Sequence, residues 1–277
     1  MGAGGTSRNA PFHFPELRVD IRRGHAVYEL EHSLEDPMLP GTIRQRLTRN
    51  DAQLALHLLA RAQPSERDAL EAALRDRGID ALLDHPSLGE AIRTQVEGCF
   101  ASLPLFTYVM VRGALRETQE HDRSIAEFVS SIILQFAERD RAHRIRPHDD
   151  VVYNTLADLA ADAECGDPTR AFLARAQMGH LALWLAGLFP DWIEERHHRR
   201  GGPSLDYYDE MGQRGYLMAS QHRLAAEHGV QGLLGSVSER FPRLRVALNR
   251  VSDRVFFPGY HSADKLLRQV RDEGRWQ

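Results

Sequence analysis

The sequence predicts an all-α fold, a compact multi-helix bundle with a short N-terminal β-hairpin, and three observations carry that reading. Ile125, Phe128, Val129, Ile132, Ile133 and Phe136 sit at the offsets of a core-facing helical stripe. Residues 178–189 are apolar nearly all round, the mark of a buried helix. Helix punctuation recurs along the chain, with Asp167-Pro168 and Ser87-x-x-Glu90 as starts and Gly78 as a stop.

In chain order, residues 1–15 are Gly-, Ser- and Pro-punctuated and loose. Leu17, Val19 and Ile21 alternate with Arg18, Asp20 and Arg22. After Gly24 a second alternation follows in Ala26, Tyr28 and Leu30, the signature of a hairpin. The expected organisation is therefore a loose segment with a hairpin over 1–40 and a single helical domain over 41–277. Asn50 or Asp51 starts a helix bearing Leu54 and Leu58. Ser65 with Asp68 opens the next, and Ser87 with Glu90 forms a capping box ahead of Ile92, Val96 and Phe100. Pro104 opens a helix with Leu105, Tyr108 and Leu115. The Ile125–Phe136 helix sets Glu127, Ser131 and Glu138 opposite its apolar stripe. Asp149 or Asp150 caps a helix bearing Val152, Leu156 and Leu159.

The centre of the fold is expected in residues 167–217. Asp167 caps a helix that Pro168 begins and Pro190 stops, with Phe172, Ala176, His180 and Trp184 on one row. A second helix starts at Ser204, where Tyr208, Gly212, Gly215 and Ala219 share a stripe. Glycine inside a helix costs about 1 kcal/mol relative to alanine, and close approach of another backbone offsets that cost. Gly179 and Gly187 offer a matching shallow surface, so the two helices are expected to pack antiparallel. Shorter helices follow at 230–240 and 242–256, and a last one carries Leu266, Leu267 and Val270.

At these residues a resemblance appears. GLFP at Gly187–Pro190, then Tyr207-Tyr208 and Gly212-x-x-Gly215-Tyr216, resembles a family of all-helical bacterial proteins without an assigned activity. It covers the last two-fifths of the chain and implies a bacterial helical protein. Relatives in that family carry an acid after the glycine matching Gly179, where this chain has His180.

Composition narrows the function classes. A formal charge of −4 gives no global attraction to nucleic acid or to anionic membrane. The basic runs Arg139–Arg146 and Arg196–Arg200 are interleaved with Asp140, Glu194 and Glu195, so nucleic acid is not an expected partner. No run reaches the roughly 20 apolar residues of a membrane span. Cys99 and Cys165 have no disulfide or metal spacing, which fits a reducing cytoplasm. Gly2-Ala3-Gly4-Gly5 lacks the strand and lysine of a phosphate loop, and no G-x-S-x-G occurs. Glu29–His32, Glu194–His197 and Glu195–His198 have the spacing of dimetal ligands but lie on hydrophilic stretches, so no metal and no cofactor is expected. Glu117 and His121 read as helix-end charges.

Two functional expectations remain. The first is a soluble interaction or regulatory protein without catalysis, acting as a homodimer or on a protein partner. The second is a helical enzyme or a small-ligand or metal-binding protein, with a pocket between helices 169–189 and 204–228 centred on His180. Its ligand-binding candidates are His180, Trp184, Tyr208, Glu210 and Tyr216. A buried imidazole needs a partner for each ring nitrogen, and those tyrosines and that carboxylate are the company the sequence offers.

Overall fold

In a computed structural model of the chain, the structure describes residues 43–94, 101–137, 141–146, 149–164, 166–260 and 262–274. Among them the fold is all-α, with no strand. The expected hairpin over 17–30 lies outside the described residues, as do Val96, Phe100 and Glu138.

The first helices form a small layer. α1 (Arg49–Ala62) opens one residue before the expected start, because Thr48 rather than Asn50 is its cap: Thr48 and Asp51 exchange bonds in a capping box. α2 (Arg67–Arg77) ends at Gly78, whose φ of +69° suits a residue without Cβ. α3 (Asp80–Leu83) and α4 (Leu88–Arg93) follow. Ser87 precedes α4 without capping it through its side chain, because its backbone is helical and its N–H donates to His85 Nδ1 instead.

α5 (Leu103–Glu117) is capped by Ser102, and α6 (Arg123–Ala137) packs on it. The α6 stripe is buried as its spacing requires, but so are Glu127 and Ser131 on the opposite face. Glu127 pairs with Arg44, and the Ser131 hydroxyl donates to the Glu127 carbonyl, so both are satisfied inside. Residues 151–155 are not helical, and Val151 and Val152 are exposed. The next helix, α7 (Leu156–Asp162), is started by a Thr155–Asp158 capping box rather than by Asp149 or Asp150.

α8 (Pro168–Leu188) is the buried rod the sequence predicts, with seventeen buried residues of its twenty-one. Pro190 ends it only by starting another: α9 (Pro190–Arg200) follows after the single residue Phe189, with the proline in its first turn, where a missing N–H costs nothing. α10 (Leu205–Ser220), capped by Ser204, stops eight residues short of the expected 228, and α11 (Arg223–Glu227) is a separate turn capped by His222.

α12 (Gln231–Val251) runs straight through Pro242, where two helices were expected. A mid-helix proline removes one backbone bond, yet packing of α12 on α10, α8 and α5 holds the rod together. A π turn over Ser252–Phe256 closes it, and α13 (Ala263–Gly274) comes last. No helix of the described residues is long and apolar enough to cross a membrane.

Candidate functional site

Among the described residues α8 and α10 make the most extensive contact, and glycine is the reason they can. A Cβ on Gly215 would lie 2.7 Å from the Arg175 carbonyl oxygen and 3.0 Å from the Gly179 nitrogen. A Cβ on Gly179 would lie 2.7 Å from the Tyr216 ring, and one on Gly212 would overlap Phe241 and touch Ala182. Phe172 stacks on His222, Gly179 meets Tyr216 and Ala182 meets Gly212. Partners descend as α8 ascends, so the pair is antiparallel. Gly187 does not join this seam; its face meets Leu248 of α12.

This close approach seals His180 into a cluster of rings. It is 1% exposed, with ring centroids 5.5 Å from Phe128, 5.6 Å from Tyr216 and 6.4 Å from Phe136. Neither imidazole nitrogen has a hydrogen-bond partner among the described residues, and neither does the Tyr216 hydroxyl. The neighbours meet the imidazole tilted or edge-on, an arrangement in which N–H can lie against a ring face. Burial, with the Arg141 guanidinium adding to it, pushes the His180 pKa down to about 3, so the ring is neutral. Burial likewise raises the Tyr216 phenol. Trp184, one turn along, packs edge-on against Phe136 and Phe189.

The remaining candidates lie elsewhere. Tyr208 lines a small cavity of about 60 Å³ with Leu181, Leu185, Trp192, Arg196 and Tyr207, where the Arg196 guanidinium sits 4.7 Å over the Trp192 ring. That cavity does lie between α8 and α10, but His180 is not part of its lining. Burial raises the Tyr208 phenol while Arg196 draws it down. Glu210 points to solvent, and its neighbour Asp209 is the acid that turns inward. The structure therefore brings His180, Trp184 and Tyr216 together and separates them from Tyr208 and Glu210.

A buried ionic seam that the sequence reading does not anticipate lies further along the same face of α12 that Phe241 occupies. Arg245, 1% exposed, gives Nε to Asp209 (3.0 Å), Nη1 to Asn249 (2.8 Å) and Nη2 to Asp272 (3.4 Å). Asn249 Nδ2 in turn donates to the carbonyls of Ala186 (2.7 Å) and Gly187 (2.8 Å), and Ser252 Oγ donates to that of Leu188. These are carbonyls that the end of α8 leaves without an intrahelical partner. Arg268 bridges Asp191 (3.1 Å) and Asp253 (2.9 Å), and Lys265 reaches Asp253 and the carbonyls of Phe257 and Tyr260. The Arg268 and Gln269 bonds hold the Asp253 carboxyl below its ordinary range against the opposing pull of burial. One signal was available: Arg245 and Asn249 continue the row of Phe241 at spacing four, placing polar groups on a core-facing stripe.

This seam turns α13 over. Lys265, Arg268 and Asp272 face inward, while Leu266, Leu267 and Val270 are 59%, 69% and 69% exposed. Among the described residues no group of three His, Cys, Asp or Glu side chains is arranged to hold a metal, and the Glu–His pairs of α9 lie on a hydrophilic helix end. Comparison of the chain with protein-family models, with curated proteins and with solved structures finds no match.

Proposed function

We propose that the chain acts by binding rather than catalysis, as a helical interaction or regulatory protein that pairs with a second copy of itself through α13. The observation that carries this reading is the inverted helix. Its polar face is spent on anchoring, so its aliphatic face is held outward rigidly. Fully burying each such side chain yields about 1.5–3 kcal/mol, and an isologous contact asks only that the surface fit itself. The edge of the stripe is already tied down by Arg271, which bonds Glu194 on α9.

Three aliphatic residues fall well short of the roughly 800 Å² per partner of a tight interface, so the dimer is weak and concentration-dependent. His180 supports the same reading from the other direction: a neutral imidazole closed off by rings is out of reach of a substrate. A reducing, cytoplasmic setting accompanies the proposal, supported by two cysteines without disulfide or metal spacing.

Sedimentation velocity over a wide concentration range tests it. The wild-type protein should shift toward dimer as concentration rises, and Leu267→Glu or Val270→Glu should abolish the shift without changing helicity or melting temperature. A wild-type chain that sediments as a monomer throughout would end the proposal.

A further inference from the structure

A second surface feature, independent of α13, lies between α4, α5 and the end of α12. It is a groove of about 220 Å³ whose floor is Val109, Met110, Ala114, Val251 and Val255. Three arginines, Arg93, Arg250 and Arg254, and two glutamates, Glu90 and Glu117, stand around it. Arg93 pairs with Glu90 at one end. At the other, Glu117 is held by Arg250 at 3.4 Å and by Arg254 at 2.7 Å.

Two details of this groove bear on what it can hold. The first is Gly113, in the middle of α5. The glycines of the α8–α10 seam each face an atom that excludes a Cβ, whereas a Cβ on Gly113 would meet nothing within 4 Å. A mid-helix glycine costs roughly 0.5–1 kcal/mol relative to alanine, and at Gly113 no protein neighbour offsets it. Bare backbone on an open floor suits a molecule lying directly on the helix. The second is the π turn over Ser252–Phe256, which carries Arg254 to the rim of the groove and Val255 to its floor. Such turns are uncommon and concentrate at functional positions.

We infer that this groove binds a short aliphatic carboxylate, its chain across Gly113 and its acid group on Arg250 and Arg254. The floor is apolar and one guanidinium exceeds the carboxylates, so the groove complements an apolar chain with a single negative head. The volume is below the ~300–1,000 Å³ of drug-sized sites, which limits the ligand to a small one. The Glu117 carboxylate occupies the position the ligand's acid would take, so binding requires the two arginines to be shared or Glu117 to swing aside.

Calorimetric titration of the full chain with octanoate, 1-octanol and acetate tests the inference. Octanoate should bind, and the other two should bind at least about tenfold more weakly, the equivalent of ~1.4 kcal/mol. Gly113→Leu starts from a Cβ with open space around it and projects an isobutyl group over the groove, so it should keep or raise the melting temperature while octanoate binding is lost. Arg254→Gln should weaken octanoate about tenfold, and Glu117→Gln, which releases both arginines, should tighten it by a similar factor. Failure of octanoate to bind by about 10 mM would overturn the inference, as would binding that survives Gly113→Leu. Octanol or acetate matching octanoate would overturn it too, since each lacks half of the proposed recognition.

Discussion

The molecule buries polar groups in two contrasting ways at successive levels of the same helices. Around His180 a titratable ring is stripped of partners and kept neutral, its charge suppressed by rings and by Arg141. Around Arg245 and Arg268 the charges are retained and each guanidinium is met by carboxylates. Burying a charge is costly unless it is paired, whereas a neutral imidazole loses only its hydrogen bonds. The ring cluster can therefore sit where helices press closest. The ionic seam is placed where a helix has to be attached by its hydrophilic face.

The largest expected effect comes from breaking the ionic side. Arg245→Met leaves Asp209 and Asp272 facing each other without their shared cation, and removing one partner of a buried pair costs about 3–5 kcal/mol. Urea unfolding should show that loss, and the triple variant Arg245→Met, Asp209→Leu, Asp272→Leu should recover part of it. A single variant as stable as wild type would mean that the seam is solvated and not a buried network.

The neutral side responds to pH instead. Because the folded His180 pKa is about 3 against an ordinary 6.5, the unfolded chain takes up a proton first as pH falls below 6.5. Stability should then drop by about 1.4 kcal/mol per pH unit, or roughly 3 kcal/mol over two units. Asp253 has a lowered pKa, so its contribution is present above 3.8 and is lost only below that pH. The two regions thus titrate in different windows. Unfolding midpoints at pH 7, 5.5 and 4.5 should fall in wild type and fall less steeply in His180→Phe, where the lowered His222 still contributes, and the variant is expected to be as stable as wild type or more so at neutral pH. Parallel profiles for the two proteins would remove His180 as the source.

A smaller effect separates the two sides at the backbone level. Gly215→Ala forces a methyl to within 2.7 Å of the Arg175 carbonyl, and overpacking of this kind costs about 1–3 kcal/mol, more than the helix propensity gained. The injury should extend to the His180 cluster, read as a change in near-ultraviolet dichroism, and leave the Arg245 seam intact.

Much of the scaffold was legible from residue spacing. Asp167-Pro168, the 178–189 run and the Gly212, Gly215 and Ala219 stripe locate α8 and α10 because each encodes a local cause: a cap, an apolar surround, a missing side chain. The errors share a different origin. The spacing predicts two helices at 230–240 and 242–256, but tertiary packing carries α12 through Pro242. Spacing puts Glu127 opposite the apolar stripe, but polarity alone does not reveal that Arg44 arrives to meet it. Leu266, Leu267 and Val270 stand on the outer face of α13 for the same reason, since Asp191 and Asp253 wait for Arg268 and Arg245 waits for Asp272 on elements outside α13. Of the candidate residues, helical register puts His180 and Trp184 on one row, while the spacing groups Tyr208 with Gly212 and Gly215 and leaves the direction of Tyr216 and Glu210 open.

Lys265 is the chain's only lysine, and the fold hides it at 4% exposure beneath the last helix. A primary amine is a rare chemical handle here, outnumbered on the surface by arginines that amine reagents ignore. Apart from the α-amino group, acylation of the native protein can proceed only when α13 lifts from its acidic seat. The rate of modification at this one nitrogen is therefore a built-in clock for the detachment of the C-terminal helix.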